Sequence, residues 1–203
     1  NRGEGCTAGS RLYAHKSVFD KLVSGVASVA EKIKVGPGLD PDTQMGPLVS
    51  DEQFKRVTGY LDAGVKAGAR AATGGKRVGN AGYFVAPTIL TGANPDMSVV
   101  REEIFGPVVC AMPFDDADLD RIAREANATE YGLAASIWTT NLGIAHKLAR
   151  RLRAGTVWIN THNAGDPALP FGGYKQSGWG REMGKEAVYG YLESKSLCIN
   201  YAV

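Results

Sequence analysis

The sequence contains few cysteines, three in 203 residues, and none of them stands in a C-x-x-C or similar metal-binding spacing. Cys6, Cys110 and Cys198 are an odd number of widely separated thiols, so they indicate neither a zinc site nor a disulfide framework. A reducing compartment is the simpler inference for such a chain. We therefore predict a cytoplasmic protein with no metal site.

An excess of charge of one sign is also absent. The sequence has 23 Lys and Arg residues and 21 Asp and Glu residues, so its formal net charge is only +2. The basic run at 147–153 has helical spacing and is typical of a solvated helix face, so the sequence predicts no nucleic-acid partner. No apolar run approaches the roughly 18 residues of a membrane span, and no signal peptide is recognisable. A membrane partner is therefore not predicted either.

The composition that is present suits a folded domain. Hydrophobic residues make up 44% of the chain and charged residues 22%, which supports a core under a polar surface. The length allows one large domain or two small ones. The sequence has no initiator Met and starts inside a motif, so we expect it to be part of a longer protein.

Short apolar strands alternate with amphipathic helices along the chain. The hydrophobic spacing predicts strands at 11–15, 84–90, 108–112, 133–139 and 156–159. It predicts helices that begin at Ser17, at the capping box that starts at Ser50, at Asp115 or Asp116, and at Asn141, with a further short helix at 181–192. This alternation predicts an α/β fold, with a mostly parallel sheet and helices on both faces.

The residues at 195–201 have the pattern of a strand. Leu197 and Ile199 alternate there with Ser196, Cys198 and Asn200. A strand at the end of a chain carries unpaired backbone groups and tends to pair with another chain or domain. We therefore expect this segment to pair with another subunit or domain.

Cys6 lies among small residues, in the segment NRGEGCTAGSR at 1–11. Small neighbours leave a substrate room to reach the sulfur, and glycines allow backbone amides to point at a bound oxygen. A thiolate that attacks a carbonyl carbon needs both conditions. Taken alone, the residue fits a structural cysteine better, because free cysteine is among the most buried residue types.

A second candidate site is the segment REEIFGPV at 101–108. Two adjacent acids are costly to bury without partners, and one of Glu102 and Glu103 could accept hydrogen bonds from two sugar hydroxyls, as in nucleotide sites. Phe105 could lie against a planar ring. An equally good interpretation is a helix end with a solvated Glu pair, followed by a Gly-Pro turn into a strand.

A third segment, LPFGGYKQSGWGRE at 169–182, is rich in glycine and aromatic residues. This composition suits a loop that surrounds a pocket with rings. A core-anchored Ω-loop is the plainer alternative. No Walker loop or G-x-G-x-x-G fingerprint occurs, and no His is paired with Ser or Asp in a way that suggests a hydrolase triad.

These segments together resemble the aldehyde dehydrogenase superfamily. The cysteine segment, EEIFGPV, N-x-x-x-YGLAA at 127–135, GTVWIN at 155–160 and PFGGYK-x-SG-x-GRE at 170–182 occur in the family's order and cover nearly the whole chain. The resemblance implies a catalytic domain at 1–190, an oligomerisation strand at 191–203 and a homo-oligomer, either a dimer or a tetramer. It also implies an N-terminal coenzyme-binding domain, which is missing here and would carry the general base.

The same resemblance implies an enzyme that uses NAD or NADP to oxidise an aldehyde to a carboxylic acid. Cys6 matches the nucleophile, which forms a thiohemiacetal and then a thioester while its backbone N–H holds the oxyanion. Glu103 matches the residue that binds the nicotinamide ribose, and Phe105 matches the ring near the nicotinamide. Gln53 matches a helix residue that reaches the cofactor. The isolated chain is expected to be inactive.

The resemblance further implies a substrate tunnel. Phe171 matches an aromatic residue of that tunnel, and His162 and Gly165 would line it. The segment 161–167 lacks an aromatic residue that some relatives have, which implies a wider tunnel, and Glu4 replaces a frequent Gln. The ending at 193–198 is similar to that of enzymes for phenylacetaldehyde-type or betaine-type substrates.

Two other functions are compatible with parts of the sequence. A non-catalytic module could self-associate through 195–201, although the presence of Cys6, Glu103 and Phe105 argues mildly against it. A thiol hydrolase could use Cys6 on esters without a coenzyme, although no His stands at a recognisable spacing from it.

Overall fold

The computed structural model describes residues 1–115 and 118–201, and residue contacts divide the chain into two units, Asn1–Thr129 and Glu130–Val203. None of the helices in this described part is both long enough and apolar enough to cross a membrane. The assignment of 1–190 to one catalytic domain stays a prediction.

The first unit is built on a four-stranded sheet. Its strands are β1 (Arg11–His15), β2 (Arg70–Thr73), β3 (Thr88–Thr91) and β4 (Val108–Phe114), in the order β1-β4-β3-β2. Strands β1, β4 and β3 are parallel, whereas β2 is an antiparallel edge strand. The predicted, mostly parallel sheet is therefore confirmed. Strand β3 starts later than predicted, directly after Pro87, because proline has no N–H to donate to a ladder.

Four helices accompany this sheet. They are α1 (Lys16–Lys32), α2 (Asp51–Lys66), α3 (Ser98–Arg101) and α4 (Leu119–Asn127). The Ser50 hydroxyl accepts a hydrogen bond from the Gln53 N–H at 3.1 Å, so the predicted cap of α2 is confirmed.

Two predicted helix starts are wrong. Strand β1 runs straight into α1, and the His15 ring nitrogen, rather than Ser17, caps the helix by accepting from the Ser17 N–H at 3.2 Å. Asp118 caps α4 in place of Asp115, because its carboxylate accepts the Asp120 N–H at 2.9 Å. Asp116 lies outside the described residues.

Helices cover both faces of the sheet, as predicted. Successive residues of a strand point to opposite faces. Leu90 and Cys110 pack with the α2 residue Val57 in one core cluster. Their neighbours Ile89 and Ala111 pack with Val23 of α1 in another.

The second unit contains a small β-α-β element. Its elements are β5 (Tyr131–Gly132), β6 (Ala134–Ile137), α5 (Leu142–Arg151), β7 (Thr156–Ile159), β8 (Tyr174–Lys175) and α6 (Gly184–Tyr189). Strands β6 and β7 are parallel and are joined through α5, whereas β5 and β8 form an antiparallel pair. Asn141 caps α5 as predicted, with its side-chain oxygen accepting the Ile144 N–H at 3.0 Å.

The segment 195–201 pairs with no strand in the described part of the chain. Its side chains Leu197, Ile199 and Tyr201 are all exposed. Pairing of this segment with another subunit or domain stays a prediction.

Cys110 is a structural thiol, and we expect it to resist modification in the native protein. It is fully buried in β4 and donates its S–H to the Val99 carbonyl at 3.1 Å. Burial raises the pKa of the Cys110 thiol to about 11, so little of the reactive thiolate exists near pH 8. Peptide mapping after iodoacetamide treatment should find Cys6 labelled and Cys110 unlabelled until the protein is unfolded. Equal labelling of both in the native state would contradict this packing.

Candidate active site

Cys6 occupies the middle of a tight turn that leads into β1. The Ala8 N–H donates to the Gly5 carbonyl at 2.9 Å and closes this turn. Cys6 is exposed, and neither its thiol nor its amide N–H has a hydrogen-bond partner within 1–115 and 118–201. Its placement is therefore that of an available nucleophile with a free donor beside it, and not that of a core residue.

The cysteine turn packs against the loop that precedes β4. Gly3 has a φ of +81°, and a Cβ on it would lie 2.0 Å from the Gly106 carbonyl oxygen. Only glycine permits this approach, because any side chain would overlap that carbonyl. The Cys110 N–H also donates to the Ser10 carbonyl at 2.8 Å, which ties the end of the same segment to β4.

Glu4, two residues before the candidate nucleophile, has its charge paired. Its side chain is only 8% exposed and forms a salt bridge with Arg2. Its other carboxylate oxygen accepts the Val49 N–H at 3.1 Å. The departure from the frequent Gln therefore adds a neutralised acid that ties the cysteine segment to the loop before α2.

The two adjacent acids of the second segment have different surroundings. The Tyr60 hydroxyl donates to the Glu102 carboxylate at 2.6 Å. Glu103 is exposed, and its carboxylate has no partner in the part of the chain that the structure describes. Glu102 is thus a structural residue, whereas Glu103 is free to accept hydrogen bonds from a ligand.

Phe105 is held in a strained backbone conformation. Its φ is +58°, a region that bulky residues rarely adopt and that costs about 1 to 3 kcal/mol. The Gln53 side-chain amide donates to the carbonyls of Phe105 at 2.6 Å and Ile104 at 3.1 Å. The second half of the predicted capping box is therefore not formed, because the Gln53 side chain holds this loop instead of reaching back to Ser50.

These loops enclose a cleft of about 290 Å³ in the first unit. It is lined by Asn1, Arg2, Gly3, Gly5, Ala8, Gly9, Ser10, Ile33, Met45, Pro87, Thr88, Ile89 and the seven consecutive residues from Glu103 to Val109. Cys6 is not itself a lining residue, but its neighbours Gly5 and Ala8 are. The structure thus brings the cysteine turn together with Glu103 and Phe105, the pairing that the sequence predicted, and Gln53 supports the same loop.

The remaining predicted residues belong to the second unit. His162 Nδ1 lies 2.5 Å from the Ser136 Oγ, and its ring meets the Trp158 ring edge-on at 5.1 Å. The Trp158 indole N–H donates to the Ala164 carbonyl at 2.8 Å. Strand β6 and the end of β7 therefore fix the segment that carries His162.

Phe171 and Gly165 have different surroundings within this unit. Phe171 and Glu182 exchange two backbone hydrogen bonds of 2.7 Å. Gly165 is exposed, and a Cβ added to it would meet nothing within 4 Å. The glycine-rich loop that follows Phe171 is closely packed against other backbone. At Gly155, for example, a Cβ would lie 1.6 Å from the Gly172 carbonyl oxygen.

Sequence reasoning missed two residues of the candidate site. Arg56 donates to the Glu103 carbonyl at 2.6 Å, and Tyr60 bonds to Glu102 as described above. The signal was present in the spacing, because positions 53, 56 and 60 fall on one face of a helix. That pattern could have suggested a polar helix face bound to a loop.

The chain matches the model of the aldehyde dehydrogenase family over residues 1–197. It is 52% identical over 197 residues to a mitochondrial aldehyde dehydrogenase of Leishmania tarentolae, covering 97% of this chain and 39% of that one. It is 44% identical over 203 residues to a phenylacetaldehyde dehydrogenase of Pseudomonas fluorescens, covering 99% of this chain and 40% of that protein.

A solved structure shares the fold. The NAD+ complex of an aldehyde dehydrogenase from Bacillus cereus superimposes with a TM-score of 0.93 at 46% identity, and the match covers 98% of this chain and 40% of that one. The chain thus spans about 40% of the length of the relatives that it matches. With its cysteine turn, its EEIFGPV loop and nearly its whole length matched, the chain belongs to the aldehyde dehydrogenase family.

Proposed function

We propose that this chain is the catalytic part of an aldehyde dehydrogenase that oxidises an aldehyde to a carboxylic acid with NAD or NADP. The observation that carries the proposal is the meeting of two loops in the first unit. One presents an exposed Cys6, the other presents Glu103 on the lining of the adjoining cleft, and neither the thiol nor the carboxylate has a partner among the described residues. A nucleophile beside an acceptor for ribose hydroxyls is what such a reaction requires.

Cys6 would form the covalent adducts. Its thiolate attacks the aldehyde carbon, and the carbonyl π electrons move to oxygen, which gives a tetrahedral oxyanion. The amide N–H of Cys6, which has no partner among the described residues, is a donor for that oxyanion. Loss of the aldehydic hydrogen as hydride leaves a thioester on Cys6. Water then attacks the thioester carbon, the C–S bond breaks, and the acid and the thiol are released.

The residues present fit part of a nicotinamide coenzyme site. The exposed Glu103 is suited to accept hydrogen bonds from ribose hydroxyls, and Phe105 belongs to the same cleft lining. When bound, the coenzyme supplies the hydride acceptor. We propose that the general base and the other coenzyme contacts come from residues outside this chain, so the isolated chain should be inactive.

The substrate-binding residues that we propose are His162, Gly165 and Phe171. The hydrogen bond to Ser136 and the ring contact with Trp158 give His162 a defined position. The segment 161–167 has no Phe, Tyr or Trp, which favours a bulky aldehyde. Similarity to a phenylacetaldehyde dehydrogenase makes phenylacetaldehyde the first substrate to test. The resemblance of the ending at 193–198 to betaine-type enzymes makes betaine aldehyde the second.

The experiment that tests this function is an assay of the longer protein of which this chain is expected to be a part, called the full-length parent below. Purified parent protein with phenylacetaldehyde or betaine aldehyde should produce NADH or NADPH and one equivalent of acid, measured by absorbance and mass spectrometry. Coenzyme reduction should require the aldehyde. Hydrolysis of an activated ester with no capacity for coenzyme reduction would favour a thiol hydrolase and contradict the proposal.

We also propose a homo-oligomer, formed through an oligomerisation strand at 191–203 that follows a catalytic domain at 1–190. The support is the exposure of Leu197, Ile199 and Tyr201 in a segment with alternating side chains. A cytoplasmic location is proposed because the chain has two exposed free cysteines, which suit a reducing compartment.

Removing residues from Ser194 onward is expected to lower the oligomeric mass of the parent. The truncation deletes the proposed pairing strand, so a dimer or tetramer should dissociate into smaller species. Light scattering coupled to size exclusion measures the mass directly. An oligomer of unchanged order after truncation would refute pairing through this segment.

A further inference from the structure

We propose that one face of α2 is a positioning device for the Glu103 loop, made of Gln53, Arg56 and Tyr60. The inference rests on the proposed function in so far as it concerns coenzyme affinity. These three residues are spaced three and four apart, so their side chains leave the helix on the same side. Each donates to a different part of 102–105, in antiparallel order along the chain.

The hydrogen bonds of this donor face cover four consecutive residues. Tyr60 donates to the Glu102 carboxylate at 2.6 Å, and Arg56 donates to the Glu103 carbonyl at 2.6 Å. Gln53 donates to the two carbonyls that follow, at 3.1 and 2.6 Å. The Arg56 guanidinium also lies 5.2 Å from the centre of the Tyr60 ring, so the donors support one another.

The donor face fixes the main chain and leaves the Glu103 carboxylate free. Three of its four acceptors are backbone carbonyls, and the fourth belongs to Glu102. Within 1–115 and 118–201, no group bonds to the carboxylate of Glu103. A ligand-binding carboxylate gains affinity when its backbone is already ordered, because less conformational entropy is lost on binding.

The loop needs such support because its geometry is unfavourable by itself. Phe105 has a φ of +58°, and Gly106 packs so closely on α2 that a Cβ would lie 2.5 Å from a Val57 methyl carbon. Donors placed on the carbonyls around a strained residue stabilise that conformation. We therefore assign Gln53, Arg56 and Tyr60 as positioning residues that act through Glu103 and Phe105.

Hydrogen exchange on the full-length parent without coenzyme tests the device itself. Arg56→Met should raise amide exchange in peptides covering 102–106 by about tenfold, because a donor to the loop is removed. Tyr60→Phe, which deletes one hydroxyl and keeps the ring, should produce a smaller rise in the same peptides. Lys55→Met is the matched control, since Lys55 pairs with Asp51 on the same helix and does not donate to the loop. An unchanged exchange rate at 102–106 in Arg56→Met would overturn the proposal.

A double-mutant cycle on NAD affinity tests the route of the effect. Arg56→Met and Glu103→Gln should each raise the Kd for NAD about tenfold, and the double variant should bind no more weakly than Glu103→Gln alone. Arg56→Lys retains a donor and should restore part of the affinity. Additive effects would overturn the proposal, because Arg56 would then act independently of Glu103. A wild-type parent that binds neither NAD nor NADP refutes the proposed function instead, and hydrogen exchange alone then decides whether the donor face positions the loop.

Discussion

Replacing Cys6 with alanine in the full-length parent is expected to lower aldehyde-dependent coenzyme reduction by about 10⁴-fold or more, because covalent catalysis fails without its nucleophile. Cys6 is exposed in a tight turn and belongs to neither core cluster of the described residues, so the variant should fold and retain its melting temperature. The measurement is kcat from NADH absorbance at saturating aldehyde, with circular dichroism as the folding check.

Cys198→Ala is the matched control for the loss of Cys6. Cys198 is also an exposed free thiol, but it lies far along the chain in a segment without a strand partner in the described residues. The control should retain the wild-type kcat. A Cys6→Ala protein with wild-type turnover would show that Cys6 is not the nucleophile and would refute the proposed reaction.

Gly3→Ala is expected to lower kcat/KM by about 100-fold or more, because displacing a catalytic group by about 1 Å typically lowers the rate by about that factor. The new Cβ would overlap the Gly106 carbonyl oxygen, which lies 2.0 Å away, and the backbone already has a φ of +81°. Either the cysteine turn or the Glu103 loop must move. Steady-state kinetics with NAD and aldehyde varied separately would measure the loss.

Gly79→Ala separates this contact from backbone strain. Gly79 has a comparable φ of +69°, but a Cβ there would meet nothing within 4 Å. It should destabilise the protein by about 1 kcal/mol, through strain alone, and leave kcat/KM unchanged. Equal kinetic losses in the two variants would show that the approach of the two loops does not matter for activity.

Helix caps could be predicted from the sequence where they depend only on residues that are close together in the chain. Ser50 and Asn141 cap the helices that the sequence predicted, since a side-chain oxygen placed before an apolar helical pattern has nearby N–H groups to accept from. The predicted start of α1 was wrong because β1 and α1 join without a loop. His15 then provides the cap two residues before the predicted Ser17.

The roles of the adjacent acids depended on contacts between distant residues. Nothing in the segment 101–108 distinguishes Glu102 from Glu103. A helix end with a solvated Glu pair fits the same residues equally well. Tyr60, 42 residues earlier in the chain, binds Glu102, whereas no group in the described part of the chain binds the Glu103 carboxylate. Gln53 likewise bonds across 51 and 52 residues to two carbonyls, so no local pattern could indicate its target.

The reaction itself can be observed at the sulfur of Cys6. The full-length parent should be mixed with aldehyde and NAD, quenched in acid within milliseconds, and digested for peptide mapping by mass spectrometry. We expect an acyl group, with the mass of the product acid minus water, on the peptide that contains Cys6 and on no other cysteine. NADH formation at wild-type rate with the acyl group absent from Cys6, or present on Cys198 instead, would contradict this expectation.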